Sequence, residues 1–420
     1  MEEKKLIIDV NERPPLKSWL FLSMQHVFAM FGATILVPIL TGYPVSVALF
    51  ASGIGTLIYT FVTKGKVPVY LGSSFAYITA VIVAVKAMNG SIAAAQTGLM
   101  LVGLIYCVVA LIIKFVGKKW IDVLLPPVVI GPMIAVIGLG LASSAITNAG
   151  FVAGGDPKNM IVATVTFLVA AFISAKGKGF MKIIPFLIAI IVGFGISVAF
   201  NMVDFTAIAS APWFSIPEFS FPVKIGNFNS YKLYFGPETL AILPVALVTI
   251  SEHIGDHVVL GHICGKNFLK EPGLNRTLVG DGLATALSAL IGGPANTTYG
   301  ENTGVIGMTK IGSVYVTAGA ALFAIILSTS GKVAAVISSI PTSVLGGMSI
   351  LLYGVIASNG LRVLIENRVD YSKQKNLIIT SAMLVFGLGG ALLPLPGSAV
   401  LSGTALSAMV GIILNLIIPD

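Results

Sequence analysis

Apolar residues run along this chain in blocks of roughly twenty, separated by short polar stretches that hold most of its charge. About twenty apolar residues make a helix long enough to cross the hydrocarbon of a bilayer. On that measure fourteen segments are expected. The first seven lie near 19–40, 44–63, 67–85, 92–113, 121–142, 160–175 and 183–200, and the second seven near 239–260, 278–291, 297–308, 313–329, 333–357, 376–392 and 398–418. The third and tenth are too polar and too broken by glycine for full spans, so each is expected to contain a short extended stretch. The tenth belongs to a polar island, 295–310, that carries the ionisable Glu301 between two apolar neighbours. A charge at bilayer depth costs at least about 2.5–3.5 kcal/mol, and irregular backbone survives there only beside protein or a water-filled cavity. Such an island marks a site.

Composition agrees with the pattern. Only 10% of the 420 residues are charged, 56% are hydrophobic and the mean hydropathy is +0.97, which excludes an ordinary soluble domain. The expected fold is an all-α polytopic membrane protein. Residues 1–18 carry Glu2, Glu3, Lys4, Lys5, Asp9, Glu12 and Arg13 with no apolar core, so they read as an N-terminal tail rather than a cleaved signal. Cys107 and Cys264 lack metal-ligand spacing and read as apolar filler.

The net charge of +8 concerns the membrane rather than nucleic acid, because its distribution follows the segments. With a cytoplasmic N-terminus, 20 of the 25 basic residues fall inside, and Lys86, Lys158, Lys224, Lys232 and Lys332 fall outside. Dropping one segment would reverse every later loop, so the bias favours fourteen crossings with both termini cytoplasmic. The loop 201–238, with Pro212, Trp213, Pro217, Pro222 and Pro237, then forms an irregular outer cap.

The halves resemble each other. Gln25-His26-Val27 matches Glu252-His253-Ile254, residues 70–78 match 298–306, and Pro126 with Gly131-Pro132-Met133 matches Pro341 with Gly346-Gly347-Met348. Each pair lies seven segments apart. Seven is odd, so the second copy is expected to enter the membrane inverted, as in secondary transporters whose interrupted helices meet at mid-depth around the substrate.

Of the 17 acidic residues, Glu252, Asp256 and Glu301 fall well inside expected segments, whereas Asp122 and Asp281 sit near segment ends within reach of water. Glu252 and Asp256, four apart, share a helix face. Where chain resumes helix after an extended stretch, N–H groups point out unpaired, and 72–75 and 299–302 are placed to offer them. Carboxylate acceptors beside amide donors suit a flat, neutral ligand with alternating N–H and C=O edges, such as a nucleobase. His253 and His257 have the i, i+4 spacing of zinc ligands, but no third ligand accompanies them, and hydrogen bonding between helices is the ordinary reading, with a relay role for whichever histidine faces the acids. Gln25 reads as an interhelical hydrogen-bonding residue. No Gly-x-x-x-x-Gly-Lys-Ser/Thr loop occurs, so transport is expected to draw on an ion gradient rather than ATP. Spacing alone does not separate proton from sodium.

The run 301–310 resembles the signature of the nucleobase–ascorbate (nucleobase:cation symporter-2) family, and Gln25-His26 resembles its first-helix pair. Gly72-Ser73-Ser74-Phe75-Ala76, Ser251-Glu252-His253-Ile254-Gly255 and 296–302 look most like bacterial uracil permeases. The resemblance implies two inverted seven-segment repeats, with a core domain (19–114 and 239–330) and a gate domain (115–200 and 331–420) that dimerises. It implies a bacterial plasma-membrane protein that imports uracil by proton symport. Glu252, Glu301 and the N–H groups of Phe75 and Gly300 would hold uracil, with Ala33, Tyr299 and Tyr353 lining the pocket and Glu252, Asp256, Glu301 and His257 as coupling candidates. No cofactor or metal is implied beyond the proton. Some uracil permeases have histidine where this chain has Asp256, and aspartate there is found in purine-type relatives, so a purine or xanthine symporter is the alternative. An anion exchanger or channel of the same plan would need a basic residue at the site, and none of the 25 falls there. An enzyme would need a nucleophile with a base at suitable spacing, which the segments lack.

Overall fold

The computed structural model describes residues 6–396 and 400–419. Its principal elements, in chain order, are α1 (Leu16–Thr41), α2 (Val45–Val62), β1 (Leu71–Ser73), α3 (Ile78–Ala87), α4 (Ala93–Val116), α5 (Pro127–Gly140), α6 (Pro157–Lys176) and α7 (Pro185–Ala199). There follow α8 (Val245–Cys264), α9 (Leu274–Leu290), β2 (Asn296–Thr298), α10 (Gly300–Thr309), α11 (Val314–Ser328), α12 (Thr342–Glu366), α13 (Gln374–Leu388) and α14 (Gly403–Ile417). Among the described residues seven helices are long and apolar enough to cross a bilayer. An eighth is reached if α11 and the helix Gly331–Ser338, bent 85° from it, count as one.

Proline and glycine set many of the ends. Pro44, Pro126 and Pro341 each precede a helix in extended backbone, where the preference of proline for N-terminal positions places them. Asp156 caps α6 by accepting from the Lys158 N–H at 2.9 Å, and Gly42 and Gly265 close α1 and α8 in left-handed conformation.

Four segments differ from the sequence reading. The run 121–142 breaks at Pro126, after the short helix Lys119–Leu124, and the run 333–357 breaks at Pro341, after Gly331–Ser338. Both runs stay apolar through the break, so hydropathy alone does not reveal it. The ninth segment begins at Leu274, directly after Pro272-Gly273, rather than at 278. The run 376–392 leaves helix at Leu388, and Leu392–Pro394 pairs antiparallel with Val400–Ser402 before α14 starts. The expected start of the last segment, Ser398, and the tail charges Lys4 and Lys5 lie outside the described residues.

Packing gathers the helices into two groups. α9 lies against α4 and α2, and α11 against α2 and α1; α12 lies against α5 and α6, and α14 against α13 and α5. The α4–α9 crossing needs glycine on both sides. A Cβ at Gly103 would stand 2.4 Å from the Gly282 carbonyl oxygen, and one at Gly282 would stand 2.6 Å from that of Gly103. With lipid as apolar as the helices, such close backbone approach is a main source of association.

The loops also separate, into two ends. At one end Ile8 bridges Ile311, Lys266 pairs with Asp9 at 2.8 Å, Lys66 pairs with Glu271, and Arg276 donates to the Val62 carbonyl at 3.2 Å. At the other, the Ser215 N–H donates to Thr329 at 2.8 Å, that of Ser220 to Ile291 at 3.1 Å, and the Lys332 ammonium to Ile208 at 2.7 Å.

Candidate substrate site

β1 and β2 pair antiparallel, Leu71 opposite Thr298, Gly72 opposite Thr297 and Ser73 opposite Asn296. Three residues from each element cross in the interior, because their backbone groups find partners there. The Ser74 N–H donates to Ala295 at 2.9 Å, the Tyr299 N–H donates to Tyr70 at 3.1 Å, and Thr56 accepts from the Leu71 N–H at 2.9 Å. Buried backbone is tolerated when so satisfied. Gly72 is required here, since a Cβ would stand 2.4 Å from the Tyr299 ring.

Helix resumes directly after each strand, in the single turn Phe75–Tyr77 and in α10 from Gly300. The N–H groups of Phe75 and Gly300 stand at these starts, where helices leave donors without intrahelical partners. Cβ positions at Gly300, Gly304 and, on α8, Gly255 would meet nothing within 4 Å. The strand crossing therefore borders open space.

Glu252 and Asp256 sit half-buried on α8, and Glu301 sits half-buried in the first turn of α10. α8 packs against both α10 and β2. Glu252 lies within electrostatic range of Asp256, Glu301 and Asp281, and those acids are the charged groups that act on it. Thr298 donates its hydroxyl to the Asp256 carboxylate. Among the described residues no basic side chain acts on these acids, so the group calls for protons or a hydrogen-bond-donating ligand.

The aromatic lining is fixed by hydrogen bonds and ring contacts. The Tyr299 hydroxyl donates to the Ser73 carbonyl at 3.0 Å and accepts from Thr34 at 3.1 Å. Phe75 meets the edge of Tyr353 on α12 at 6.2 Å, so that contact joins the two helix groups. Ala33, Tyr299 and Tyr353 are all buried. On α1, the His26 carbonyl accepts from the Asn302 amide at 3.0 Å, which ties α1 to α10; Gln25 is buried beside it.

Two expectations change. His257 is not brought to the carboxylates: its Nδ1 donates to the His253 carbonyl at 2.7 Å, and its Nε2 meets the Tyr59 hydroxyl on α2. A helix face opposite Glu252 points it away. Asp281 is not near water; it is 0% exposed and accepts from His253 Nδ1 at 2.8 Å. It lies two turns into α9 because that helix starts earlier than hydropathy suggests. Among the described residues no group of three His, Cys, Asp or Glu could hold a metal ion. Sequence reasoning missed Thr298, whose only signal was its place two residues before Gly300.

Paired strands that each lead into a helix start, beside half-buried carboxylates and open space, define the class: a polytopic solute transporter. The model of the permease family Xan_ur_permease matches residues 17–395, and the chain belongs to this family of nucleobase:cation symporters. It is 50% identical over 420 residues to the uracil permease of Bacillus caldolyticus, covering 99% of this chain and 95% of that one. It is 47% identical to the uracil permease of Bacillus subtilis (strain 168), covering 100% and 97%. With that of Escherichia coli (strain K12) it shares 46%, covering 98% and 93%. Permeases are transporters, not enzymes. Among solved structures, the fold resembles the murine solute carrier 26 family member A9 anion transporter in the inward-facing state (TM-score 0.70, 11% identity, 97% of this chain and 68% of that one). It also resembles the transmembrane domain of the cyanobacterial bicarbonate transporter BicA (TM-score 0.66, 16% identity, 98% and 100%).

Proposed function

We propose that this permease imports uracil together with a proton by alternating access. One observation carries the reading: carboxylates from two helices, Glu252 and Glu301, lie within range of each other beside the helix starts at Phe75 and Gly300. Uracil is planar, with two ring N–H donors and two carbonyl acceptors. The carboxylates accept from its N–H groups, and the amides of Phe75 and Gly300 donate to its carbonyls. Ala33, Tyr299 and Tyr353 bound the pocket. The names of the three relatives support uracil over a purine.

Glu252, Asp256 and Glu301 are the coupling groups in this reading. A proton entering with the substrate relieves their mutual repulsion, and its release toward the cytoplasm resets the site. The coupling needs no cofactor. The helices α1–α4 and α8–α11 act as a core domain that moves against a gate of α5–α7 and α12–α14, with the Phe75–Tyr353 contact at their boundary. The two separate ends of the molecule fit fourteen crossings in two inverted repeats, with both termini cytoplasmic, in a bacterial plasma membrane. The gate is the surface through which two copies pair.

Purified protein in liposomes tests this. An inward proton gradient should drive accumulation of labelled uracil, a protonophore should abolish it, and replacing sodium or chloride should leave it unchanged. Glu252→Gln and Glu301→Gln should each remove uracil binding; micromolar binding retained by both variants would remove the site. Competition by unlabelled xanthine stronger than by uracil would select the purine reading instead.

A further inference from the structure

We propose that Thr298 is a positioning residue that links the protonation state of Asp256 to the substrate-facing start of α10. The inference deepens the reading above and rests on it.

Each β2 side chain has a different fate. Asn296 donates to the carbonyls of Ala51 and Ala284 at 3.1 and 3.3 Å, both uncharged and both on packed helices. Thr297 has a buried hydroxyl without a partner among the described residues. Thr298, 4% exposed, donates to the carboxylate of Asp256. Among the described residues it is the one β2 side chain bonded to an ionisable group. Two residues further on stand Gly300, whose amide opens α10, and Glu301 beyond it. Any shift of Thr298 is passed through Tyr299, itself pinned to Ser73 and Thr34, to the groups that face open space.

A threonine hydroxyl both donates and accepts. With Asp256 ionised, the hydroxyl donates to it. When Asp256 takes a proton from outside water, the acid can donate back to the Thr298 oxygen, and the bond survives with its direction reversed. When the proton leaves to inside water, the first arrangement returns. The charge of the cluster changes by one unit on each passage while β2 stays tethered to α8. The groups that set this exchange are Glu252 on the same helix, Glu301 from α10 and Asp281 from α9. His257, next in sequence, is engaged with Tyr59 and with the His253 carbonyl.

Valine keeps the shape of threonine and removes the hydroxyl; serine keeps the hydroxyl. In liposomes, Thr298→Val should lower proton-driven uracil accumulation about tenfold more than it lowers uracil–uracil exchange, which moves no net proton, since a hydrogen bond to a charged group is worth about that factor. Its uptake should also follow a pH profile displaced from that of the parent, and Thr298→Ser should restore both. Equal loss of exchange and accumulation in Thr298→Val, or an unchanged accumulation ratio and pH profile, would overturn the proposal. A serine variant as impaired as valine would do the same. If the parent protein itself accumulates no uracil under a proton gradient, the transport reading fails instead, so the two failures are told apart.

Discussion

Nδ1 of His253 stands 2.8 Å from Oδ2 of Asp281, and solvent reaches neither side chain. The pair fastens α8 to α9 behind the site. The His253 ring stacks on that of His257 at 4.1 Å, and His257 in turn meets Tyr59 on α2. Three helices are thus held by one polar chain at a depth where water offers no substitute partner. Asp281→Asn keeps the volume and replaces the carboxyl group that meets the His253 ring. It should destabilise the protein by about 1–3 kcal/mol, read as a lower thermal midpoint in detergent. An unchanged midpoint would mean the pair does not brace these helices.

Gly72 and Gly300 make opposite predictions, although each is a glycine beside the site. A methyl group at position 72 would meet the Tyr299 ring at 2.4 Å, whereas one at position 300 meets nothing within 4 Å. Gly72→Ala should therefore cost about 1–3 kcal/mol through overpacking and displace Tyr299 from Ser73 and Thr34. Gly300→Ala should leave the thermal midpoint near that of the parent and still weaken uracil binding, because its methyl group enters the open space. Thermal unfolding and equilibrium binding of uracil on the two variants check the contrast. Equal midpoints would show that the strand crossing yields easily.

Why some of this was legible and some not follows from the physics of each residue. Glu252 and Glu301 stand out because a carboxylate inside an apolar run is costly enough to be rare. Asp281 is no less buried, yet it lies three residues from the segment edge at 278 that hydropathy draws, and the stronger start signal is Pro272-Gly273. Thr298 has no signature, since threonine in an extended stretch fits packing as readily as it fits bonding to a carboxylate. The breaks before Pro127 and Thr342 were hidden by apolar residues on both sides. Hydropathy reports burial in the bilayer, not backbone direction. The proline signal is present at both places, where it also marks the repeat. His257 could not be assigned from spacing, because one step around a helix turns a side chain through about 100° and takes it from the site to Tyr59.

The N-terminal tail offers a pH test outside the membrane. The hydrogen bond from Lys266 holds the Asp9 carboxyl below its ordinary value, helped by the Val10 N–H and opposed by slight burial. A carboxyl lowered in the folded protein contributes stability above its unfolded pKa of about 3.9, and that contribution is lost as pH falls through the lower folded value. Asp9 is 49% exposed and Lys266 36%, so solvent screening limits the effect to below about 1 kcal/mol. Asp9→Asn should lower the thermal midpoint slightly at pH 7, with the difference from the parent beginning to shrink below about pH 4 and gone once pH falls below the lowered folded value. A difference that persists or grows in acid would contradict the pairing.

The sidedness of the loops can be read directly by cysteine labelling. Lys64 and Lys178 belong to the set that the charge bias places inside, Lys158 and Lys224 to the set outside, and all four are exposed. The native thiols are removed first by Cys107→Ala and Cys264→Ser, conservative changes at a half-buried and a buried position. Cysteines at 158 and 224 should then react with a membrane-impermeant maleimide in intact cells, and those at 64 and 178 only after permeabilisation. The position at 158 is the most informative, because it follows α5 and so reports whether the chain crosses between Lys119 and Pro157. The helix after Pro126 runs on through Ala142–Asn148, and Pro127–Asn148, at 22 residues, is long enough to cross without the preceding piece Lys119–Leu124. Protection of 158 in intact cells together with labelling at 178 would mean that this broken segment turns back within the bilayer, and the inverted arrangement of the halves would fall with it.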